Sequence, residues 1–508
     1  MSATEPGTVS QAAAGAKASP LPLPPYRGGF LLARTDRALL RALRDGQRAF
    51  GHWGECPIGG YRLHFDPIFP VHHAAAGDVG IVCLGYLCDV GDPAPPARTV
   101  ARLASAWALS RDAFLDRLID SGGTYVVFAY RGNEVEVFLD ATGTIGVCYA
   151  EADGEVVAAS HPCLLAELFG FRRSALADFW LNHPAVDMGG RYFPGLKTIF
   201  DEVRLLTPNT ALRLPTGAVA RFYPRHELRE RPLDEILATV IPALHRQIGW
   251  IAGQASLAVS VSGGLDTRVT LSAMRDEAAG CLFFTYRVGG NQVHKTDFEI
   301  ATELCARLGL RHLPIVVPNV APTPGPFVDV WRRTHDRTLG NISLVEAYCE
   351  RLGGRYVHIR SNVLEVVRGY YTKNPANRDN VFDAYKLARL FRGRVAQEFT
   401  PYFEEFVEVT AFTPDALKGY HYTDLFYWEH RMGTWLAGVL RGARADHLTY
   451  ILYNCRTVIE ALIARPLEER VAAAAMFALI REMWPEVLSV PIFSGSQFRE
   501  IPPANGVG

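Results

Sequence analysis

Between residue 26 and about residue 225, short apolar segments recur at close spacing: Val79–Leu87, Thr124–Tyr130, Val135–Leu139, Ile145–Tyr149 and Val156–Ala159. Turn residues separate them, as in Arg131-Gly132-Asn133 and Asp153-Gly154, so the pattern predicts strands joined by hairpins. Helical stretches at Arg98–Trp107 and Ser110–Ile119 make this an α+β unit with layered sheets. Thr207–Arg225 reads as a closing hairpin. After Pro232 the apolar spacing changes. Leu233, Ile236, Leu237, Val240, Ile241, Leu244 and Ile248 follow a helix, with Pro242 bending it. From Ser256 strands and helices alternate: strand Ser256–Val261, helix Thr267–Met274, strand Cys281–Arg287, a helix presenting Ile300, Leu304 and Leu308, then strands His312–Val317 and Arg355–Arg360. Such alternation predicts a parallel, doubly wound sheet. Beyond about residue 375 the chain reads as mostly helical. Its apolar run Val471–Ile480 is fenced by Arg470 and Arg481. A membrane span needs ~20 such residues, so the run predicts one buried core helix.

Composition narrows the function classes. Across 508 residues, 52 Lys+Arg balance 53 Asp+Glu, which argues against a general electrostatic grip on nucleic acid or anionic membrane. The first 25 residues carry one lysine and one glutamate and no compact apolar stretch. They read as a disordered extension, neither secretory signal nor transit peptide. Nine scattered cysteines form no C-x-x-C pair, as expected of reduced thiols in a cytoplasmic protein. Only six lysines are present, at positions 17, 197, 295, 373, 386 and 418. Any chemistry that needs an ammonium therefore has few candidates.

The turn Ser262-Gly263-Gly264-Leu265-Asp266-Thr267 falls between a predicted strand and a helix. Two glycines let backbone N–H groups approach an anion, and a helix N-terminus favours negative charge. Ser262 and Thr267 add hydroxyls, while Asp266 can hold Mg²⁺ against phosphates. The Walker A spacing and its lysine are absent. The plain alternative is a Gly-Gly turn capped by Asp266.

S-G-G-L-D-T-R resembles the pyrophosphate-binding loop (S-G-G-x-D-S) of the asparagine synthetase family. Further similarity lies in Tyr125–Glu167 with Val135–Cys148 as the family hairpin, Ser160-His161-Pro162, residues 195–224 and Asp297–His312. The segment Ile359–Tyr371 is a degenerate counterpart of L-S-G-D-G-A-D-E-L-F-G-G-Y, with Asn362 at one acidic position and Glu365 at the second aspartate. Beyond the extension 1–25, the resemblance implies an amidotransferase-like (Ntn-hydrolase-like) α+β domain over 26–228 and a HUP-like α/β ATP-pyrophosphatase domain with a helical end over 229–508. It implies ATP contacts from Ser260, Ser262, Gly263, Gly264, Leu265, Asp266, Thr267, Tyr286, Arg360 and Ser361, and Mg²⁺ on Asp266 and Glu365. Glu365 and Arg368, three apart, could equally be an exposed helix pair.

Two departures shape the functional expectation. The family's glutaminase cysteine falls at Gly28, or Arg27 if shifted by one; its recognition turn becomes Leu84-Gly85-Tyr86 and its aspartate Gly122. No glutaminase is expected. The family's late lysine is also missing, leaving Arg470 or Arg481 to supply that charge. The expected activity is an AMP-forming amide-bond ligase or cyclase using ATP and Mg²⁺. In logic it is similar to β-lactam synthetases and lasso-peptide cyclases, joining a small-molecule or peptide carboxylate to an amine. A nucleotide-binding pseudoenzyme or scaffold and an ammonia-dependent asparagine synthase are the alternatives. The assembly is left between a homodimer and a pathway partner protein. Arg431-Met432 resembles a family pair near the acceptor site.

Overall fold

The computed structural model describes residues 23–34, 50–186, 191–290, 292–320, 322–336, 342–494 and 497–503. The expected extension over 1–25 thus lies almost wholly outside the described residues. Among the described residues the N-terminal part holds twelve strands: β1 Phe30–Ala33, β2 Gly54–Ile58, β3 Tyr61–Phe65, β4 Val71–Ala76, β5 Val79–Asp89, β6 Ser121–Arg131, β7 Glu134–Leu139, β8 Val147–Ala152, β9 Glu155–Ala159, β10 Arg204–Leu206, β11 Thr210–Leu214 and β12 Ala218–Arg221. They form two six-stranded antiparallel sheets, ordered β10-β8-β9-β1-β3-β2 and β12-β11-β7-β6-β5-β4. In β5 and β6, which pair from Val79↔Arg131 to Asp89↔Ser121, alternate side chains serve different cores. Val82, Leu84, Val126 and Phe128 meet Phe30 and Leu32 of the other sheet. Ile81, Cys83, Val127 and Ala129 face the helix Pro96–Leu109 and the C-terminal half. Both faces are covered, so these antiparallel strands read as unbroken apolar runs. The helix Pro162–Phe169 covers the outer face of the first sheet. The result is a layered α+β arrangement.

The helix Leu233–Ala252, with Pro242 inside it, joins the two halves. Its buried Gln247 donates to the Leu452 carbonyl at 2.9 Å and accepts from the Tyr450 hydroxyl at 3.1 Å. Beyond it, β13 Leu257–Ser260, β14 Leu282–Val288, β15 His312–Val317, β16 Val357–Ile359 and β17 Thr449–Tyr450 form a parallel sheet in the order β15-β14-β13-β16-β17. The order reverses between β13 and β16, and the loops leaving those two strands flank the crevice where such sheets bind ligands. A short hairpin, β18 Ile492–Ser494 and β19 Gln497–Arg499, closes over the first loop.

Two features depart from the pattern-based reading. β17 lies within the stretch expected to be helical; two residues are too few for a periodic signal. The run Val471–Ile480 is split between the helices Leu467–Ala472 and Ala474–Met483, because Ala473 takes a left-handed conformation (φ 60°). The first piece carries Arg470 to Asp424, while the second packs on Leu233–Ala252 and Leu265–Ala273. Alanine favours helix so strongly that periodicity cannot reveal the break. No helix among the described residues is long and apolar enough to cross a membrane.

Candidate functional site: a phosphate-type loop facing paired carboxylates

The loop after β13 is held by its own side chains. Ser262 Oγ and Thr267 Oγ1 lie 3.0 Å apart, and Gly264 N–H donates to Ser262 Oγ at 3.2 Å. Gly264, extended at φ −77° and ψ 162°, leads into the helix Leu265–Ala273. Gly263 has its N–H on Asp297 Oδ1 (2.8 Å) and its carbonyl on Phe493 N–H (2.9 Å). A Cβ there would stand 3.2 Å from that carboxylate oxygen and 3.3 Å from both Ile300 and Phe493. Close approach, not an unusual φ, is what this glycine provides. The short distance also brings Asp297 and the closing hairpin into the site.

Across the crevice, the segment after β16 turns sharply at Val363, whose φ is 88°. This is the position that the resembled motif fills with glycine. A buried, β-branched residue in that region carries strain of about 1–3 kcal/mol. The turn starts the short helix Leu364–Val367 and sets Glu365 opposite the loop. Asp266 Oδ2 accepts from Arg368 Nη2 at 2.7 Å. Asp266 Oδ1, Glu365 Oε2 and Ser361 Oγ are buried with no hydrogen-bond partner. Burial pushes the Asp266 carboxyl up to about 7; Arg368 holds it back and Glu365 adds to the rise. Burial also raises the Asp297 carboxyl, opposed by the Gly263 N–H. Two carboxylates pushing against each other, each with an orphaned oxygen, fit a divalent cation that takes hard oxygen ligands. Among the described residues no group of three His, Cys, Asp or Glu is placed to hold a metal alone. Phosphate oxygens would have to complete the shell.

The cleft between these walls measures about 390 Å³. Ser260, Ser262, Gly264, Leu265, Asp266, Thr267, Tyr286, Arg360, Ser361 and Glu365 line it together. Gly263 sits behind the lining, its polar groups engaged as above. His358 forms part of the floor through a buried chain: its Nδ1 lies 3.1 Å from His447 Nε2, and His447 Nδ1 lies 2.8 Å from Asp446. Arg470 and Arg481 are elsewhere. The Arg470 guanidinium pairs with Asp424 at 2.8 Å and donates to the Val367 carbonyl at 2.9 Å, pinning the Glu365 helix from behind. Arg481 bonds the Pro502 carbonyl and lies over Phe477. The cations whose charge reaches Asp266 are Arg368, Lys373 and Arg499. Arg368 was legible only as an i+3 neighbour of Glu365, and the structure gives it to Asp266 instead. Asp297 carried a signal as the first residue of the similar segment Asp297–His312, although the helix itself runs Gln292–Arg307; Arg499 and Phe493 carried none.

Of the two positions the resemblance allows for the cysteine, Gly28 and Arg27, the first is closed. Gly28 has φ 62°, and a Cβ on it would fall 2.8 Å from Cδ of Arg444. A Cβ on Gly122 would meet Gln247 Oε1 at 2.3 Å.

No family model matches the chain, and no characterised protein matches it in sequence. Among solved structures it is similar to an NH3-dependent NAD synthetase from Campylobacter jejuni subsp. jejuni, at 16% identity over 28% of this chain and 61% of that one, with a TM-score of 0.18. It is similar to an NMN synthetase from Francisella tularensis at 14% identity, over 38% of this chain and 75% of that one, TM-score 0.19. A glutamine phosphoribosylpyrophosphate amidotransferase from B. subtilis, complexed with ADP and GMP, aligns over 66% of this chain and 86% of that one, at 13% identity and a TM-score of 0.24. The chain spans 61% of the first of these proteins. Likenesses of this size carry no argument about activity, and the functional reading rests on the cleft.

Proposed function

We propose that this chain is an ATP-dependent, AMP-forming amide-bond ligase or cyclase without glutaminase activity, working in a biosynthetic setting in the cytoplasm. Residues 26–228 and 229–508 are its two domains, the first an amidotransferase-like layer that has lost its chemistry. The observation that carries the reading is the pair Asp266 and Glu365 facing a glycine-rich loop, each with a buried oxygen that has no partner. Mg²⁺ held there would neutralise phosphate charge and stabilise departing pyrophosphate. Ser262, Gly264 and Thr267 position the phosphates, and Arg368 holds Asp266 toward them. A substrate carboxylate oxygen bonds to the α-phosphorus of ATP as the α–β bridging bond breaks, releasing pyrophosphate. An amine nitrogen then bonds to the acyl carbon, AMP leaves with the former carboxylate oxygen, and the amine gives up a proton. On this reading Arg368, which lines the cleft, meets charge developing on the leaving group, and Lys373 and Arg499, whose charges reach Asp266, add to the positive field. The late lysine of the resembled family is thereby replaced by residues from other elements.

Substrate-dependent exchange of labelled pyrophosphate into ATP tests the reading. Exchange should appear with carboxylic acids in the presence of Mg²⁺ and fall by about 10²–10³ in Glu365→Gln. Tight Mg²⁺–ATP binding with no exchange across a broad acid panel would favour the scaffold instead.

A further inference from the structure

Beside the nucleotide cleft lies a second cavity of about 380 Å³, where the N-terminal layers meet the parallel-sheet half. Tyr286, Tyr348 and Arg360 line both cavities, so the two share a wall. Their linings have opposite chemistry. Asp266, Asp297 and Glu365 face the cleft. Among the described residues no acid lines the chamber, while Arg191, Lys197, His335, Arg360 and Arg441 do. Glu405 neutralises Lys197 at 2.7 Å. Arg360 and Arg441 form no ion pair with any described residue, and the Arg441 Nε is buried without a hydrogen-bond partner.

The positive charge continues behind the wall. Arg444 is 3% exposed, and all three of its guanidinium nitrogens lack a partner. Burial and the charge of Arg441 together push its pKa down, and Asp66 offsets only part of that. A guanidinium stays protonated in a protein, so an uncompensated one in a half-buried wall is costly until an anion meets it. A carboxylate is the planar acceptor that matches its fork. Trp331, Trp435 and Val439 line the same chamber as Arg360 and Arg441 and give it an apolar part.

We propose, on the basis of the ligase reading above, that this chamber holds the acid to be activated, and that this acid is a dicarboxylate with an apolar body. One carboxylate is presented at Arg360, beside the cleft, and the other is held by Arg441. Electrostatic selection then acts at the end of the substrate that does not react.

Calorimetric titration of the full chain with succinate, adipate and suberate, each against its monomethyl ester, tests this without requiring turnover. At least one diacid should bind about tenfold to a hundredfold tighter than its ester, the worth of a charge-assisted hydrogen bond. Arg441→Gln should erase that preference and Arg441→Lys should keep part of it. If no diacid outbinds its ester in the parent, or if Arg441→Gln retains the preference, the inference is overturned. Should Arg441→Gln fail to fold, the parent comparison and Arg441→Lys still decide. Mg²⁺–ATP binding and pyrophosphate exchange, run on the same samples, separate the two readings. A diacid preference without exchange removes the ligase and leaves the chamber, whereas exchange without the preference does the reverse.

Discussion

Two sites built around glycine invite comparison: the loop at Gly263-Gly264 and the turn at Gly28. At the loop, the space left by the missing side chains is bordered by a carboxylate and a hydroxyl, and the cleft beyond it keeps buried oxygens with no protein partner. At Gly28 the corresponding space holds the aliphatic stem of Arg444, delivered from the C-terminal half, and Gln247 from the joining helix presses on Gly122. Unsatisfied polar atoms do not by themselves separate the two, since the Arg444 guanidinium is also without a partner; the difference is whether space remains for a ligand to complete them. A site that has become an interface is filled by the chain itself. The contrast is one of occupancy: a side chain from the other half fills the space at Gly28, whereas the cleft of about 390 Å³ stays open.

The largest expected effect falls behind the cleft. Arg470→Ala should destabilise the protein by about 3–5 kcal/mol in denaturant unfolding, since it leaves Asp424 buried without its cation. The side chains of the pair are 7% and 4% exposed. Exchange per folded molecule should survive; its selective loss would move Arg470 into the cleft. Next, Glu365→Gln should cut pyrophosphate exchange by about 10²–10³, roughly 3–4 kcal/mol of barrier, with unfolding nearly unchanged. An undiminished rate would mean that the paired carboxylates are not the working feature of that site.

Gly28→Cys probes the other side of the comparison. The new side chain clashes with Arg444 at a left-handed position, so a loss of about 1–3 kcal/mol is expected. No glutamate should be released from glutamine, even when Arg444→Ala is added to open space. Glutaminase activity in the double variant would show that the pocket is latent.

Acidity sharpens the contrast further. The Asp266 carboxyl is raised from an ordinary 3.8 to about 7 in the folded chain. A raised carboxyl binds its proton more tightly folded than unfolded. The stability it contributes is therefore complete below its ordinary value and is lost as pH rises through about 7. The parent without nucleotide should lose stability relative to Asp266→Asn between about pH 4 and about pH 7, while its affinity for Mg²⁺–ATP rises over the same interval. A difference that stays flat across that range would refute the shift. Smallest of all, Arg481→Ala should change stability by ~1 kcal/mol or less and leave exchange intact.

The strand–turn–helix around Ser262–Thr267, the alternating run from Ser256 and the hairpins Val79–Ala159 were all legible as pattern, because each depends on neighbours within one or two turns of chain. The absence of a nucleophile at Gly28 was legible for the same reason: a residue type either has the atom or lacks it. Only the folded chain decided who meets whom. Arg368, three residues from Glu365, pairs with Asp266 across 102 positions. Arg470 leaves the site for Asp424, and Ala473 breaks a helix its own propensity favours. Arg444 fills a pocket more than four hundred residues upstream in the chain, and Arg360 and Arg441 come to border one chamber that no acid among the described residues lines. Local propensity and periodicity carry no information about such encounters, because the charge a guanidinium finds depends on which loops the sheet order brings to the same end of the molecule.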